Sequence, residues 1–180
     1  FVTCLVDLVR PRIGFAAIEL LESAGCEVIV PSTQTCCGQP GYNSGDVKSG
    51  RDLALKFLDE FQGCDYIVAP SGSCSGMIRT HYPVIFKDEP EVLQRLTVLT
   101  DKTYELTDFL VNVAKPDKLN TNFSGSVTYH DSCSGLRELG VKNQPRTLLK
   151  QCGVAVTEML DAEVCCGFGG TFSVKLGDIS

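Results

Sequence analysis

Several features that would assign a protein to a common class are absent from this sequence. It has no tryptophan, only two histidines, and no apolar run that approaches the roughly 20 residues needed to span a bilayer. A basic segment followed by an apolar stretch is missing from its N-terminus, so we expect a cytoplasmic protein without membrane insertion. The formal net charge is −6, without basic blocks or aromatic ladders, and nucleic acid is therefore not an expected partner.

Cysteine, by contrast, is abundant, with ten in 180 residues. A chain of this length that is 43% hydrophobic can bury a real core, so it does not need disulfides to fold. Cysteine-rich sequences without a secretory signal are typical of reducing compartments, where such clusters bind metal or react more often than they cross-link. The composition therefore directs attention to the cysteines themselves.

One cysteine spacing occurs twice. A cysteine, thirty-one further residues and a Cys-Cys-Gly run recur with an offset of 129 residues. The first set comprises Cys4, Cys36 and Cys37, and it continues with Cys74, which follows the Cys-Cys-Gly run after thirty-five residues. The second set comprises Cys133, Cys165 and Cys166. Adding the offset to Cys74 gives position 203, beyond Ser180, for the missing fourth cysteine, so the second site is incomplete in this sequence. Because the chain begins at Phe1 inside an apolar segment and stops shortly after the second Cys-Cys-Gly, we expect it to be a fragment, or the ordered part, of something longer.

Thiols held together in this way must be protonated, oxidised in pairs or bound to metal. Two bare thiolates ~4 Å apart repel by roughly 4 kcal/mol at an effective dielectric constant near 20. Adjacent cysteines rarely chelate one ion because their side chains diverge, whereas a cluster several ångströms across accepts both. The spacing thus predicts an iron–sulfur site in each half, the second of them incomplete, with zinc as the runner-up. Reduced core cysteines or redox-sensing cysteines remain the alternative.

Periodicity predicts an α/β fold built from two related strand-helix-strand-helix repeats, over residues 1–115 and 125–180, with a polar linker between them. The predicted strands cover residues 1–5, 27–31, 65–70, 126–130 and 154–159. Such an order implies parallel pairing, with the cysteines in loops at the carboxyl ends of strands.

Local signals mark the helices between these strands. Pro11 suits a first helical position and Gly25 a stop, while Asp46 is a candidate cap for the next helix. A further helix is predicted over residues 90–114, with an interruption near Thr100.

Other candidate residues lie outside the repeated pattern. Cys26, Cys64 and Cys152 fall at helix-to-strand junctions, where a small buried hydrophobe is the expected role. His130 precedes the second set and either tunes a cluster or makes a structural hydrogen bond. The glycine-rich run over residues 167–171 is a weak match to a phosphate loop, and we interpret it instead as backbone that wraps a cluster.

The doubled Cys-x31-Cys-Cys-Gly-x35-Cys pattern resembles the cysteine-rich CCG domain of iron–sulfur oxidoreductases. This family includes a component of heterodisulfide reductase, the glycolate oxidase iron–sulfur subunit and the lactate utilization proteins. The segments that carry the resemblance cover residues 3–7, 34–45, 70–74, 129–141 and 165–175. They are most similar to the lactate utilization members.

The resemblance implies an iron–sulfur electron-transfer subunit of a cytoplasmic complex that oxidises L-lactate to pyruvate, with the other subunits of that complex as partners. The fuller family motif ends in Cys-x-x-Cys, but Met77 stands at that spacing after Cys74. We therefore expect a conventional [4Fe-4S] cluster rather than the five-cysteine cluster of the heterodisulfide reductase relatives. Two alternatives stay open: a thiol–disulfide or glycolate oxidoreductase subunit, and a scaffold held by zinc or disulfides. No catalytic residue is assigned.

Overall fold

The computed structural model describes residues 1–117, 119, 123–169, 173 and 176–179. Its helices are α1 (Cys4–Val9), α2 (Pro11–Ser23), α3 (Gln39–Asn43), α4 (Val47–Phe61), α5 (Gly72–Gly76), α6 (Tyr82–Ile85), α7 (Pro90–Asp101), α8 (Leu106–Phe109), α9 (Cys133–Leu139) and α10 (Asn143–Gln151). The strands are β1 (Ile67–Ala69), β2 (Thr103–Glu105), β3 (Ser126–Val127) and β4 (Ala155–Val156). Met77–His81 and Leu110–Ala114 form π-helical turns, and Gly177–Ile179 forms a 3₁₀ turn. None of the helices in these described segments is long and apolar enough to cross a bilayer.

The local signals for α2 and α4 are confirmed. Helix α2 has Pro11 at its first position, and Gly25, with φ of 85°, follows its end in a left-handed conformation that suits glycine. The Asp46 side chain accepts a hydrogen bond from the Ser49 backbone nitrogen (3.0 Å) and so caps α4.

The α/β class with parallel strand pairs is confirmed. Strand β1 pairs with β2 in parallel, and β3 pairs with β4 in the same sense. Strand β2 lies where the sequence predicts only an interruption near Thr100 in a long helix. The division into repeats over 1–115 and 125–180 stays a prediction, and the predicted linker falls partly outside the described residues.

Two predicted strands are wrong. Residues 1–5 and 27–31, all of which the structure describes, form no strand. Cys4 instead opens α1, because the Thr3 side chain accepts a hydrogen bond from the Val6 backbone nitrogen and caps a helix there. The second segment is rich in β-branched residues, but that propensity forms no strand without a paired neighbour.

The core lies mainly in the first half. Aromatic side chains from α4, α6 and the turn after α6 pack together, and Phe57 meets Tyr82 edge to face at 5.6 Å between ring centroids. Cys37 and Cys74 belong to the same buried cluster. The first cysteine set therefore lies at the edge of the core rather than on the surface.

The two halves meet where α5 crosses α9. A Cβ atom added at Gly72 would lie 2.8 Å from the Gly135 backbone nitrogen, so the two helix backbones are in direct contact. A Cβ added at Gly76 would clash with the Glu138 carboxylate in the same crossing. Small residues thus let the helix that carries Cys74 lie against α9.

Candidate metal centre

The structure brings together the four cysteines of the first set from three segments. Cys4 is the first residue of α1, Cys36 and Cys37 lie in the loop before α3, and Cys74 lies within α5. The Cys4 thiol points to the Cys36 sulfur at 3.7 Å, and the Cys37 thiol bonds to the sulfurs of Cys36 and Cys74. The four sulfurs form one continuous chain, with Cys37 and Cys74 only 2% and 8% exposed.

Backbone geometry shapes the loop that holds the paired cysteines. Gly38 adopts φ of 82°, and an added Cβ would lie 3.2 Å from the Gly50 Cα atom, so both conformation and space favour glycine. The Gly38 backbone nitrogen donates to the Cys36 sulfur at 3.4 Å. On the neighbouring helix, the Ser71 side chain caps α5 by accepting from the Cys74 nitrogen. Each turn thereby directs a sulfur toward the shared site.

The pKa shifts along this sulfur chain alternate in direction from Cys4 to Cys74. The hydrogen bond from the Cys37 thiol is the main reason that the pKa of Cys36 falls to about 5, and it also lowers the pKa of Cys74. Donation to these two neighbours, followed by burial, raises the pKa of Cys37. Burial, and then the neighbouring Cys36, raise the pKa of Cys4 to about 11. Cys4 and Cys37 therefore keep their protons at neutral pH, and a metal centre would displace those protons.

The pKa of Cys36 predicts a distinctive pH profile for thiol alkylation in metal-free protein. Because only the thiolate reacts, Cys36 should be modified by iodoacetamide at pH 7 and lose reactivity as the pH falls through about 5. Cys4, with a pKa of about 11, should react only well above neutral pH. Peptide mapping by mass spectrometry after short exposures measures both. Equal labelling of Cys4 and Cys36 at pH 6 would contradict the alternation.

Tyr82 is a site residue that nothing in the sequence distinguishes from a packing residue. Its side chain is fully buried, and its hydroxyl donates to the Cys37 carbonyl oxygen at 2.9 Å. Burial, followed by the nearby cysteines, raises the pKa of Tyr82 well above its usual value, so the hydroxyl keeps its proton. This bond fixes the peptide between the paired cysteines and the Gly38 turn.

The second set is only partly assembled, and it lies at the surface. Cys133 opens α9, while Cys165 and Cys166 are exposed in the segment after β4. A hydrogen bond joins the Cys133 and Cys165 side chains, and it raises the pKa of the first. The backbone nitrogen of Gly167, and then Cys133, lower the pKa of Cys165. Arg137 adds a nearby positive charge. Of the glycine-rich run over 167–171, residues 170 and 171 lie outside the described residues.

An ion-pair network, which we call the Arg146 clamp, ties together the two segments that lead to this set. It consists of Arg146, Asp131 and Glu158. The Arg146 guanidinium bonds to both carboxylate oxygens of buried Asp131 (2.8 and 2.9 Å) and of Glu158 (2.6 and 2.8 Å). The guanidinium also lies over the Tyr129 ring at 5.1 Å. Sequence reasoning missed the clamp, since its members are fifteen and twelve residues apart and follow no recognisable motif.

Backbone contacts reinforce the clamp. The Asp131 backbone nitrogen donates to the Ala162 carbonyl oxygen at 2.8 Å. The ring of His130 hydrogen-bonds through Nε2 with the Val164 carbonyl oxygen at 2.7 Å, which is the structural role left open for it by the sequence. The segment that leads to Cys133 is therefore hydrogen-bonded to the segment that leads to Cys165.

The three cysteines outside the pattern are half-buried rather than fully buried. Cys26 packs at the edge of the smaller core cluster, Cys64 packs against the main one, and Cys152 ends α10. In the part of the chain that the structure describes, no three histidine, cysteine or acidic side chains converge closely enough to hold a single metal ion.

Two cysteine sets of matched spacing, in an α/β fold with parallel strand pairs, define a cysteine-rich domain protein. The family model described as a cysteine-rich domain, CCG, matches residues 1–79 and 127–179. Lactate utilization protein A of Anoxybacillus flavithermus is 49% identical over 181 residues, which cover all of this chain and 76% of that protein. The proteins of the same name from Geobacillus thermodenitrificans and Bacillus subtilis are 48% and 47% identical, again over the whole chain and 75% and 76% of their own lengths. The chain belongs to the lactate utilization protein A family.

Proposed function

We propose that this chain is an iron–sulfur electron-transfer subunit of a lactate utilization system that oxidises L-lactate to pyruvate. The observation that carries the proposal is the continuous chain of four sulfurs formed by Cys4, Cys36, Cys37 and Cys74 at the edge of the core. The relatives' name supports the lactate setting and further proteins of one system as partners. Lactate oxidation releases two electrons and two protons, and this subunit would pass the electrons onward.

The donor set fits a polynuclear cluster better than a single ion. Zinc needs four ligands at about 2.3 Å from one point, whereas the sulfurs of a [4Fe-4S] cluster's ligands stand around a body several ångströms across. Four cysteine side chains linked in a row from Cys4 to Cys74 match the second requirement. When bound, such a cluster supplies one-electron transfer.

The chain's own residues would set the properties of that cluster. Cys4, Cys36, Cys37 and Cys74 would hold it at the first site, and Cys133, Cys165 and Cys166 would supply part of a second ligand set. Burial at the first site and the Gly38 amide directed at the Cys36 sulfur are the means by which a protein tunes reduction potential. The Tyr82 hydroxyl holds the paired-cysteine peptide in place.

Iron and acid-labile sulfide assays on the full-length gene product, prepared and reconstituted without oxygen, test the proposal. We expect iron and sulfide in equal amounts, together with a broad charge-transfer absorption that bleaches on reduction. Stoichiometric zinc without iron, or protein that retains neither metal, would overturn the proposal.

Thiol–disulfide exchange is a second candidate, favoured by the 3.7 Å separation of the Cys4 and Cys36 sulfurs. In this reaction the Cys36 thiolate attacks a substrate disulfide and releases one thiolate, which takes the proton of Cys4. The Cys4 thiolate then attacks the Cys36 sulfur of the mixed disulfide, so that a Cys4–Cys36 disulfide forms and the second substrate thiolate leaves. Two electrons from a partner subunit would regenerate the pair. Alkylation of Cys36 that abolishes disulfide turnover in metal-free protein would favour this candidate, and failure of that protein to reduce any disulfide would exclude it.

A further inference from the structure

Helix α1 exposes an apolar face to solvent. Leu5 and Val9, one helical turn apart, are 51% and 56% exposed, and Leu8 beside them is also exposed. Val6, on the other side of the helix, is buried against Gly14 of α2. Helix α1 therefore covers its inner face within the first half and leaves the Leu5–Val9 face, as we call it, uncovered.

The repeat supplies a counterpart for this helix. The offset of 129 residues relates Cys4, which opens α1, to Cys133, which opens α9. The caps correspond as well: the Thr3 side chain accepts from the nitrogen three residues ahead, and so does the Ser132 side chain. Helices α1 and α9 are therefore the same element in the two halves.

In the second half that element is covered. Helix α5 crosses α9 so closely that a Cβ at Gly76 would meet the side chains of Ser134 and Glu138. The counterparts of these two residues in α1, by the same offset, are Leu5 and Val9. The face that binds α5 in one half is thus the face that is bare in the other.

We propose that the Leu5–Val9 face binds a second helix of the α5 type, contributed by the same polypeptide beyond residue 180. The repeat offset places the counterpart of α5 at positions 201–205, with the predicted cysteine at 203 inside it. The relatives are long enough to contain such a segment, since the matched 181 residues are 76% of the Anoxybacillus flavithermus protein. A second copy of this chain offers no free α5, because α5 already lies against α9.

In this arrangement, each half would contribute a helix that packs against the first helix of the other half. Helix α5 carries Cys74 of the first set and lies across the first helix of the second half. The proposed helix would carry the last cysteine of the second set and lie across α1 of the first half. Each cysteine set would then receive its last cysteine from a helix that also packs against the other half of the chain, whether or not either set holds iron.

Photo-cross-linking of the full-length gene product tests the contact. With p-benzoylphenylalanine in place of Leu5, irradiation should cross-link position 5 to residues near 203 of the same chain, as mapped by mass spectrometry. The matched control carries the same group in place of Phe15, which is exposed on α2 outside the face, and should give no such product. Cross-links between two chains, cross-links to other regions, or the same product from both positions would overturn the proposal.

A stability comparison in the same full-length protein provides a second readout. Leu5→Asp should lower the Tm by several degrees, because it would place a carboxylate in a buried helix contact. Phe15→Asp should leave the Tm nearly unchanged. Equal effects of the two substitutions would contradict a covered Leu5–Val9 face.

Discussion

Cys37→Ser is expected to abolish iron binding at the first site of the reconstituted protein. Cys37 is the most buried member of the set at 2% exposure, and its side chain links Cys36 to Cys74. A serine hydroxyl is a poor iron ligand beside three thiolates, and it removes the link between Cys36 and Cys74. The first site's full complement of iron and sulfide should therefore be lost.

Iron and sulfide assays on matched preparations measure this loss, with circular dichroism to show that the variant remains folded. Cys26→Ser serves as the control, because Cys26 is half-buried at the edge of the smaller core cluster and belongs to neither set. It should retain the wild-type iron content. If Cys37→Ser binds as much iron as Cys26→Ser does, then the first set does not hold the cluster.

Arg146→Ala is expected to lower the free energy of unfolding by about 3–5 kcal/mol, the range typical when one partner of a buried ion pair is removed. The Asp131 side chain has no solvent exposure, and Arg146 satisfies both of its carboxylate oxygens. Without the guanidinium, the carboxylate stays buried with its charge uncompensated. Equilibrium urea unfolding measures the change in the free energy of unfolding. The two proteins are compared at the same m-value, the slope of that free energy against urea concentration.

The control for this prediction is Arg95→Ala, which removes a solvent-exposed pair with Asp59 at 3.6 Å. Exposed pairs contribute about 0–1 kcal/mol, so the free energy of unfolding should hardly change. The double variant Arg146→Ala with Asp131→Ala should recover part of the lost stability, since no unpaired charge remains. A loss for Arg146→Ala no greater than that for Arg95→Ala would show that the clamp does not stabilise the fold.

Much of the secondary structure could be predicted because its causes are local. Proline at the start of α2 and the Asp46 cap of α4 act through the nearest turn of backbone. The failures at residues 1–5 and 27–31 have a different origin, because a strand needs a neighbour that the local sequence does not identify. Strand β2 could not be predicted, for the converse reason. Its three residues pair with β1, but they lie in a segment whose sequence pattern is otherwise typical of a helix.

The residues of the candidate site also divide into those that the sequence predicts and those that it does not. The repeated spacing groups Cys4 with Cys36 and Cys37, and the structure places the Cys4 and Cys36 sulfurs 3.7 Å apart, while the role of the set as a ligand set stays a prediction. The Tyr82 hydroxyl and the Arg146 clamp could not be predicted, since each joins residues that only tertiary packing places side by side. The repeat did contain one unused signal, the hydroxyl residue directly before the first cysteine in both halves, which caps α1 and α9.

The backbone contact between Gly72 and Gly135 also bears on how this protein can evolve. Two parts of one chain ordinarily accumulate substitutions independently of each other. Here a side chain gained at Gly72 forces the opposite helix to retreat, whatever residue that helix carries, so the two halves must diverge in step at this point.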